Sequence, residues 1–205
     1  MATSPIIYGS VSWENMSNGI EKVKDRLRRA ATVLEKAGVR YAVIGGTAVA
    51  AWVSRVDESV VRNTRDVDLL LDRSEFARAI TALEAAGFIH KSASSLGGAG
   101  RIEMFLDGPR AKARDAVRVI FAGEKVLEDS LLPSPEVGEV DASTGEFRLL
   151  DLEALVRMKL TSFRDKDRVH LRDMMETGQI EATWLERVPV ELRSRLAALL
   201  ADPNG

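Results

Sequence analysis

The sequence predicts an α/β fold of the α+β kind, with a mixed β-sheet flanked by helices and followed by a helical C-terminal region. Two observations predict it. Short apolar runs alternate with amphipathic helical patterns as far as Ala122, and only helical patterns follow a later connection rich in turn formers. We expect four segments: an N-terminal extension (1–19), an α/β core (20–125), a connecting loop or hairpin (126–150) and the helical C-terminal region (151–205).

The α/β core begins with an amphipathic helix over residues 20–37, in which apolar residues recur three and four positions apart. Gly45-Gly46 interrupts the first strand, and Thr47 is expected to cap a short helix after it. A further helix is expected over 75–86, and a flexible loop over 94–100. The five predicted strands cover 39–44, 67–71, 88–92, 102–106 and 116–122.

The C-terminal region shows three helical patterns. Asp151 is placed to cap a helix over 152–163, and a second helix is expected over 165–176. Pro189 suits the first turn of a last helix, 190–200.

Composition excludes several classes of protein. The chain has 205 residues, which is long enough to bury a core, and a net charge of −2, which predicts no general affinity for nucleic acid or anionic membranes. It contains no cysteine, so disulfides and thiolate metal sites are excluded. No apolar run approaches the roughly 20 residues of a membrane span, and the N-terminus lacks the pattern of a signal peptide. We therefore expect a cytoplasmic protein without a membrane partner.

Two aspartates, Asp66 and Asp68, lie one residue apart in the stretch TRDVDLLLD. Side chains alternate along a strand, so both carboxylates are expected on one face, with about 6–7 Å between their Cα atoms. Two carboxylates held this close repel each other, and a shared divalent cation relieves the repulsion; an all-oxygen site suits Mg²⁺. The alternative is a pair of solvated charges at a strand end, paired with Arg62 or Arg65.

A glycine turn, Gly45-Gly46-Thr47, lies where the first predicted strand leads into a helix. Backbone N–H groups are free at a helix N-terminus, the helix dipole favours an anion, and glycine has no Cβ to keep phosphate oxygens away. Neither GxGxxG nor GK[ST] is present, so this is neither a Rossmann fingerprint nor a P-loop. A phosphate cradle followed by a carboxylate pair forms the two halves of a magnesium–nucleotide site. The alternative is a tight turn that needs glycine for its geometry only.

The stretch GGT, a spacer and then RxTxDVDLL resembles the nucleotidyltransferase superfamily, which has the DNA polymerase β-like fold. The signature of that superfamily is a GG[ST] turn followed by an [DE]h[DE]h strand. From Lys159, KLTSFRDKDRVHLRD is similar to the K…RxKDxxD element of AbiEii-type nucleotidyltransferases, the toxin components of bacterial abortive-infection and toxin–antitoxin systems. The resemblance covers roughly residues 25–175 in element order.

The resemblance implies a role for each matched residue. Gly45, Gly46 and Thr47 would hold the β- and γ-phosphates of a nucleoside triphosphate. Asp66 and Asp68 would coordinate Mg²⁺, which bridges the phosphates. An acceptor would then attack the α-phosphate, and pyrophosphate would leave.

Three further residues, Lys159, Lys166 and Asp167, match the C-terminal element and are implied to be catalytic. In a single helical register the two lysines, seven residues apart, share a face and reach the triphosphate or a nucleic-acid acceptor. The alternative is a solvated helix face held by ion pairs. Those pairs would be Asp165 with Arg168 and Asp167 with His170.

The pattern departs from the superfamily at one position. The family adds a third carboxylate from a neighbouring strand, which holds a metal and takes the proton of the acceptor. Arg118 occupies the best-aligned position in the strand 116–122, and an arginine neither binds a cation nor accepts a proton. The nearby acids that remain open as replacements are Glu103, Asp107, Asp115 and Glu124.

The resemblance thus implies a Mg²⁺-dependent nucleotidyltransferase that moves a nucleoside monophosphate from a nucleoside triphosphate to RNA such as tRNA, to a protein or to a small molecule such as an antibiotic. A toxin role with an antitoxin partner is a further expectation. The alternative is a catalytically degenerate protein that binds a nucleotide or a partner in a regulatory role, and Arg118 favours it. A third possibility is an α/β scaffold whose aspartates are surface charges.

Overall fold

The computed structural model describes residues 13–92, 102–141 and 145–202. The first helix, α1, begins at Trp13 and ends at Lys36, so it starts seven residues before the predicted position. Residues 1–12 of the predicted extension and the predicted loop 94–100 lie outside the described residues. No helix in the described part of the chain has the length and hydropathy that a membrane crossing requires.

Five strands form one mixed sheet in the order β1-β2-β5-β4-β3. β2 and β5 are parallel, and the other three pairs are antiparallel. All five predicted strands are present, and the predicted fold class is confirmed. Their bounds are β1 Tyr41–Ile44, β2 Val67–Leu71, β3 Ile89–Ser92, β4 Ile102–Leu106 and β5 Ala116–Phe121.

The register of the sheet decides which side chains share a face. Asp68 lies opposite Ile44 on β1 and opposite Arg118 on β5. Residues directly opposite each other in a ladder project to the same side, so Asp68 and Arg118 are neighbours on one face. Val67 and Leu69 project to the other face, where they are fully buried.

Helices cover both faces of the sheet. On the face opposite Asp68, Phe76 of α3 packs edge-on against Phe105 of β4 and Phe121 of β5, and α1 packs against α3. On the face that carries Asp68, α2 contacts β2, α4 and α5. The remaining helix bounds are α2 Gly45–Ser54, α3 Phe76–Ala85, α4 Leu152–Ser162, α5 Asp165–Glu176, α6 Trp184–Arg187 and α7 Val190–Ala201.

The C-terminal region is attached directly to the edge of the sheet. The backbone N–H of Val43 donates to the carbonyl of Arg148 at 2.7 Å, and that of Leu150 donates to the carbonyl of Val43 at 3.1 Å. The Trp52 indole on α2 also donates to the Leu150 carbonyl at 3.0 Å. These bonds hold α4, which begins two residues after Leu150, beside β1 and α2.

A sharp corner separates α4 from α5. As predicted, Asp151 caps α4 by accepting a hydrogen bond from the Ala154 N–H at 2.7 Å. Phe163 ends that helix in the left-handed conformation, with φ of 48°. The prediction that Lys159 and Lys166 share one helical face is therefore wrong, because they lie on different helices.

The turn between β1 and α2 also differs from its prediction. α2 begins at Gly45, so Thr47 lies in its first turn and is not its cap. The Thr47 hydroxyl instead donates to the carbonyl of Asp66 at 3.1 Å, which ties the turn to the residue before β2. Gly45 has a φ of +71°, and a Cβ at this position would lie 2.1 Å from Oδ2 of Asp68. Only glycine allows the backbone to approach the carboxylate this closely.

A non-glycine residue held in the left-handed conformation costs about 1–3 kcal/mol of stability. We predict that Gly45→Ala lowers the free energy of unfolding by more than this amount, because the new methyl group also displaces Asp68. Urea unfolding measures the change. The matched control is Gly87→Ala, since Gly87 has a φ of +88° and no atom within 4 Å of the added Cβ. Equal losses for the two variants would contradict the prediction.

Candidate functional site

A cleft of about 620 Å³ opens on the sheet face that carries Asp68. One side is formed by the β1–α2 turn and β2, and the other by the α4–α5 corner. Residues of the segment 126–134 also line the cleft, together with Ile102 of β4 and Ile120 of β5. Of the predicted site residues, seven line this cleft: Gly45, Gly46, Asp66, Asp68, Lys159, Lys166 and Asp167.

The carboxylates of Asp66 and Asp68 converge on a single cation, the guanidinium of Arg118. Arg118 donates from Nε to Oδ1 of Asp68 at 2.6 Å, and from Nη2 to Oδ2 of Asp66 at 2.7 Å and to Oδ2 of Asp68 at 3.1 Å. The expected shared face of the two aspartates is therefore present. The ion pairs with Arg62 or Arg65 that the alternative interpretation expected are not found among the described residues. Arg62 binds Asp173 on α5 instead.

The electrostatics of this trio keep Arg118 charged. Burial acts to lower the pKa of its guanidinium, but the hydrogen bonds and charges of Asp68 and Asp66 raise it above the ordinary value. The three side chains remain partly exposed to the cleft, at 27% for Asp66, 13% for Asp68 and 28% for Arg118. The trio is thus accessible to a ligand.

None of the four acids left open as a third carboxylate lies at this site. Glu103 shares a hydrogen bond with His90 on the opposite face of the sheet, and Asp107 binds Arg26 and Arg29 of α1. Glu124 forms an ion pair with Arg73, and Asp115 lines a separate small pocket beside Asp107. Arg118 therefore takes the position of the third acid without a replacement from this set.

The glycine turn lies directly against the acid pair. Gly45 contacts Asp68, as described above, and a Cβ on Gly46 would lie 2.9 Å from Oγ1 of Thr64. No side chain caps the N-terminus of α2, and its first residues, Gly45 and Gly46, line the cleft. The backbone N–H groups of this turn are placed to receive an anion beside Asp68.

A buried ion pair supports the opposite wall. Lys159 of α4 donates to Oδ1 of Asp167 on α5 at 3.0 Å, and their side chains are 5% and 0% exposed. Oδ2 of Asp167 accepts hydrogen bonds from Ser162 at 2.6 Å and from Nε of Arg164 at 2.8 Å. Burial acts to raise the pKa of Asp167, but these hydrogen bonds and the charge of Lys159 hold it well below its ordinary value.

The wall also carries exposed positive charge. Lys166, at the beginning of α5, is exposed and lines the cleft, as does Arg164. The expected ion pair between Asp165 and Arg168 is present at 3.2 Å, whereas Asp167 binds Lys159 and Arg164 in place of the expected His170.

His170, which the alternative interpretation assigned to a solvated helix face, lines the cleft beside Gly46. Its Nδ1 atom is buried without a hydrogen-bond partner. Burial, followed by the charge of Lys159, lowers the pKa of His170 to about 4. The imidazole is therefore neutral at pH 7.

The donor set suits one divalent cation rather than a cluster. Across residues 13–92, 102–141 and 145–202, no group of three or more histidine, cysteine, aspartate or glutamate side chains is placed to hold a metal ion. Two carboxylates with substrate phosphates are an ordinary Mg²⁺ site, and this pair already holds one cationic group, the Arg118 guanidinium. Asp66 and Asp68 thus have the chemistry for one Mg²⁺ ion, provided that Arg118 releases its hydrogen bonds to their carboxylate oxygens.

Three solved structures have a similar arrangement of helices and strands. The antibiotic-resistance factor ANT(2'')-Ia, in a solution structure, superposes with a TM-score of 0.57 at 17% identity over 88% of this chain and 96% of that one. A crystal structure of ANT(2'')-Ia with adenylyl-2''-tobramycin gives 0.56 at 14% identity over 86% and 99%. An antigenic nucleotidyltransferase-like protein from Paracoccidioides brasiliensis gives 0.52 at 17% identity over 88% of each chain.

The chain has the nucleotidyltransferase fold. No protein-family model matches the sequence, and no curated protein matches it significantly. The likeness therefore rests on the arrangement of elements, at identities that establish the fold alone. The predicted nucleotidyltransferase-like architecture is confirmed, and similarity to the AbiEii type in particular stays a prediction.

Within this nucleotidyltransferase fold, two features were missed from the sequence. The sequence shows Arg118 as a missing acid and not as the partner of both aspartates. The signal lay in its match to the third-acid position of the family, because that position lies beside the acid pair. His170 carried no signal of its own, since its place in the cleft depends on the corner at Phe163.

We predict that Asp167→Asn lowers the free energy of unfolding by about 3–5 kcal/mol, because it leaves the buried Lys159 without its counter-charge. Urea unfolding at pH 7 measures this. Asp165→Asn is the matched control, since Asp165 is 97% exposed and its loss should cost less than about 0.5 kcal/mol. A native-like stability of Asp167→Asn would contradict the assigned role of the pair.

We also predict a loss of stability on mild acidification that depends on His170. Its folded pKa of about 4 lies below the ordinary value of 6.5, so the unfolded chain binds the proton first. This contribution is present above pH 6.5 and is lost between pH 6.5 and about 4. Unfolding midpoints over this range should fall less for His170→Asn than for the native chain. Equal falls for the native chain and for His170→Asn would contradict the prediction.

Proposed function

We propose that the cleft binds a nucleoside triphosphate and that the chain transfers its nucleoside monophosphate to an acceptor. One observation carries the proposal: the glycine turn that begins α2 contacts Asp68, and Asp68 shares the Arg118 guanidinium with Asp66, inside a cleft of about 620 Å³. An anion site and a cation site are thus adjacent, which is the arrangement that phosphoryl transfer requires.

On the donor side, the backbone N–H groups of Gly45, Gly46 and Thr47 hold the β- and γ-phosphates. The Thr47 hydroxyl contributes indirectly, because its bond to the Asp66 carbonyl fixes the distance between the turn and the acid pair. Lys166 on the opposite wall supplies positive charge to the triphosphate. Lys159 and Asp167 are buried against each other, so we assign them to positioning the wall that carries Lys166.

Asp66 and Asp68 are the residues that hold one Mg²⁺ ion. A Mg²⁺ ion held by this pair would supply positive charge that neutralises the phosphates. In the transfer itself, the acceptor forms a bond to the α-phosphorus while the bond from that phosphorus to the pyrophosphate oxygen breaks. Because none of the four expected third acids lies beside the pair, we assign the acceptor's proton to solvent.

The acceptor occupies the end of the cleft beyond the acids. Across the sheet, the glycine turn follows β1, the acids belong to β2, and the next strands are β5 and β4. In-line displacement places the acceptor opposite the leaving pyrophosphate, and therefore over β5 and β4. Ile120, Ile102 and the segment 126–134 line that end, so it combines apolar walls with the Arg118 charge.

Several acceptor classes are compatible with this cleft. ANT(2'')-Ia, whose structure includes adenylyl-2''-tobramycin, supports a small molecule such as an antibiotic. The predicted similarity to AbiEii-type proteins supports RNA such as tRNA, or a protein, and with it a toxin role opposed by an antitoxin. The acceptor class is therefore an outcome of the experiment below.

A labelling experiment tests the proposal. The chain is incubated with Mg²⁺ and each α-labelled nucleoside triphosphate, and total RNA, cell lysate or tobramycin is added in separate reactions as the acceptor. Label should appear on one acceptor and fall about a hundredfold or more for Asp66→Asn and for Asp68→Asn, because the cation site is lost. The matched control is Asp72→Asn, at an aspartate paired with Arg40 outside the cleft. Label transfer that survives both site variants would contradict the assignment.

A second candidate function is binding of a nucleoside triphosphate without turnover, in a regulatory role. The observation that favours it is the Arg118 guanidinium, which stands where a third acid would act and forms ion pairs with the two that remain. Thermal shift separates the candidates: stabilisation by a triphosphate without labelling of any acceptor supports binding alone. No stabilisation by any triphosphate, with or without Mg²⁺, would contradict both.

A further inference from the structure

The acid pair of the cleft already has a cation bound to it, and that cation belongs to the chain. Arg118 contacts both oxygens of Asp68 and one oxygen of Asp66, in three charge-assisted hydrogen bonds of 2.6–3.1 Å. Such bonds are roughly twice as strong as neutral ones. Three carboxylate oxygens are therefore occupied before any metal ion arrives.

A guanidinium and a divalent cation exclude each other at this place. Arginine has only donors, so it cannot serve as a metal ligand. Its positive charge also repels an approaching ion in this partly buried site. Each carboxylate oxygen keeps a second lone pair, but a metal ion bound beside the guanidinium is destabilised by the like charge, so metal binds more tightly once Arg118 has moved away.

Arg118 has an alternative binding partner, the proposed triphosphate. Its side chain is 28% exposed and lines the same cleft as the glycine turn, where the triphosphate is proposed to lie. Phosphate oxygens, like carboxylate oxygens, accept bidentate hydrogen bonds from a guanidinium. A bound triphosphate therefore competes with Asp66 and Asp68 for the same arginine.

We propose that Arg118 is an internal counter-cation that holds the acid pair closed to metal and moves to the triphosphate when nucleotide binds. This inference rests on the proposed nucleotide site and adds a coupling to it. Metal alone binds weakly, because it must displace the guanidinium. Triphosphate removes the guanidinium, so metal binds more tightly, and by reciprocity metal also tightens the binding of triphosphate.

The test measures Mn²⁺ binding without nucleotide, by the electron paramagnetic resonance of free Mn²⁺, for the native chain and for Arg118→Met. Methionine keeps much of the length of the side chain and removes its charge. We expect Mn²⁺ affinity to rise at least about tenfold, which corresponds to about 1.4 kcal/mol. Adding Asp68→Asn to Arg118→Met should abolish the gain, which assigns the ion to the acid pair.

Arg40→Met is the matched control. Arg40 also pairs with an aspartate, Asp72, but lies outside the cleft, so this variant changes the net charge equally and should bind Mn²⁺ as the native chain does. Arg118→Lys is the second variant if methionine prevents folding. An ammonium has no planar fork to bridge both carboxylates, so its Mn²⁺ affinity should lie above the native value.

A thermal readout gives independent support. In Arg118→Met the two carboxylates face each other without a counter-charge, so Mg²⁺ should raise the melting temperature of this variant and leave that of the native chain nearly unchanged. Equal Mn²⁺ affinities for native and Arg118-substituted chains would overturn the proposal. These measurements contain no nucleotide, so the two proposals can fail separately. If label transfer fails but Arg118→Met still binds Mn²⁺ more tightly, the transfer reaction is rejected and the role of Arg118 as a counter-cation is supported.

Discussion

The parallel ladder between β2 and β5 places Arg118 directly opposite Asp68, and the chemistry of the cleft follows from this register. A shift of one residue would send the arginine to the opposite face, among the rings of Phe76, Phe105 and Phe121, and leave two carboxylates unopposed. Apolar neighbours protect the register, because Val117 and Val119 are fully buried on the other face. The core thus determines which cation the acids meet.

The second constraint is the buried contact between α4 and α5. These helices meet at a corner whose left-handed residue, Phe163, contacts the guanidinium groups of Arg168 and Arg195 through its ring. Arg195 of α7 also donates to the carbonyls of Leu160 and Thr161 at 2.7 Å each, which satisfies the end of α4. The Lys159–Asp167 pair then locks the two helices from inside. The exposed Lys166 is held at the cleft by this framework.

Periodicity was sufficient to predict the strands and most helices, because each buries one face against a single core. It placed β2 and β4 correctly at both ends, and α5 likewise. It could not predict α6 or the early start of α1, since neither follows from a strong apolar repeat. At the site, the glycine turn and the aspartates were predicted as neighbours, whereas the partners of Asp66 and Asp167 were not. Arg118 is 52 residues from Asp66, and Lys159 is 8 residues from Asp167 on another helix, so only the tertiary structure brings these pairs together.

Trp52 ties the two sides of the cleft to one anchor. Its indole donates to Leu150 ahead of α4, while its carbonyl accepts a hydrogen bond from Gln179 after α5 at 2.9 Å. The helix that carries Trp52 begins at the glycine turn itself. A ligand therefore meets walls whose backbone is already assembled, and its affinity is not reduced by the cost of ordering them. Under the proposed transfer, selection among acceptors would then depend on how well they fit a preformed shape, and less on closure around the correct one.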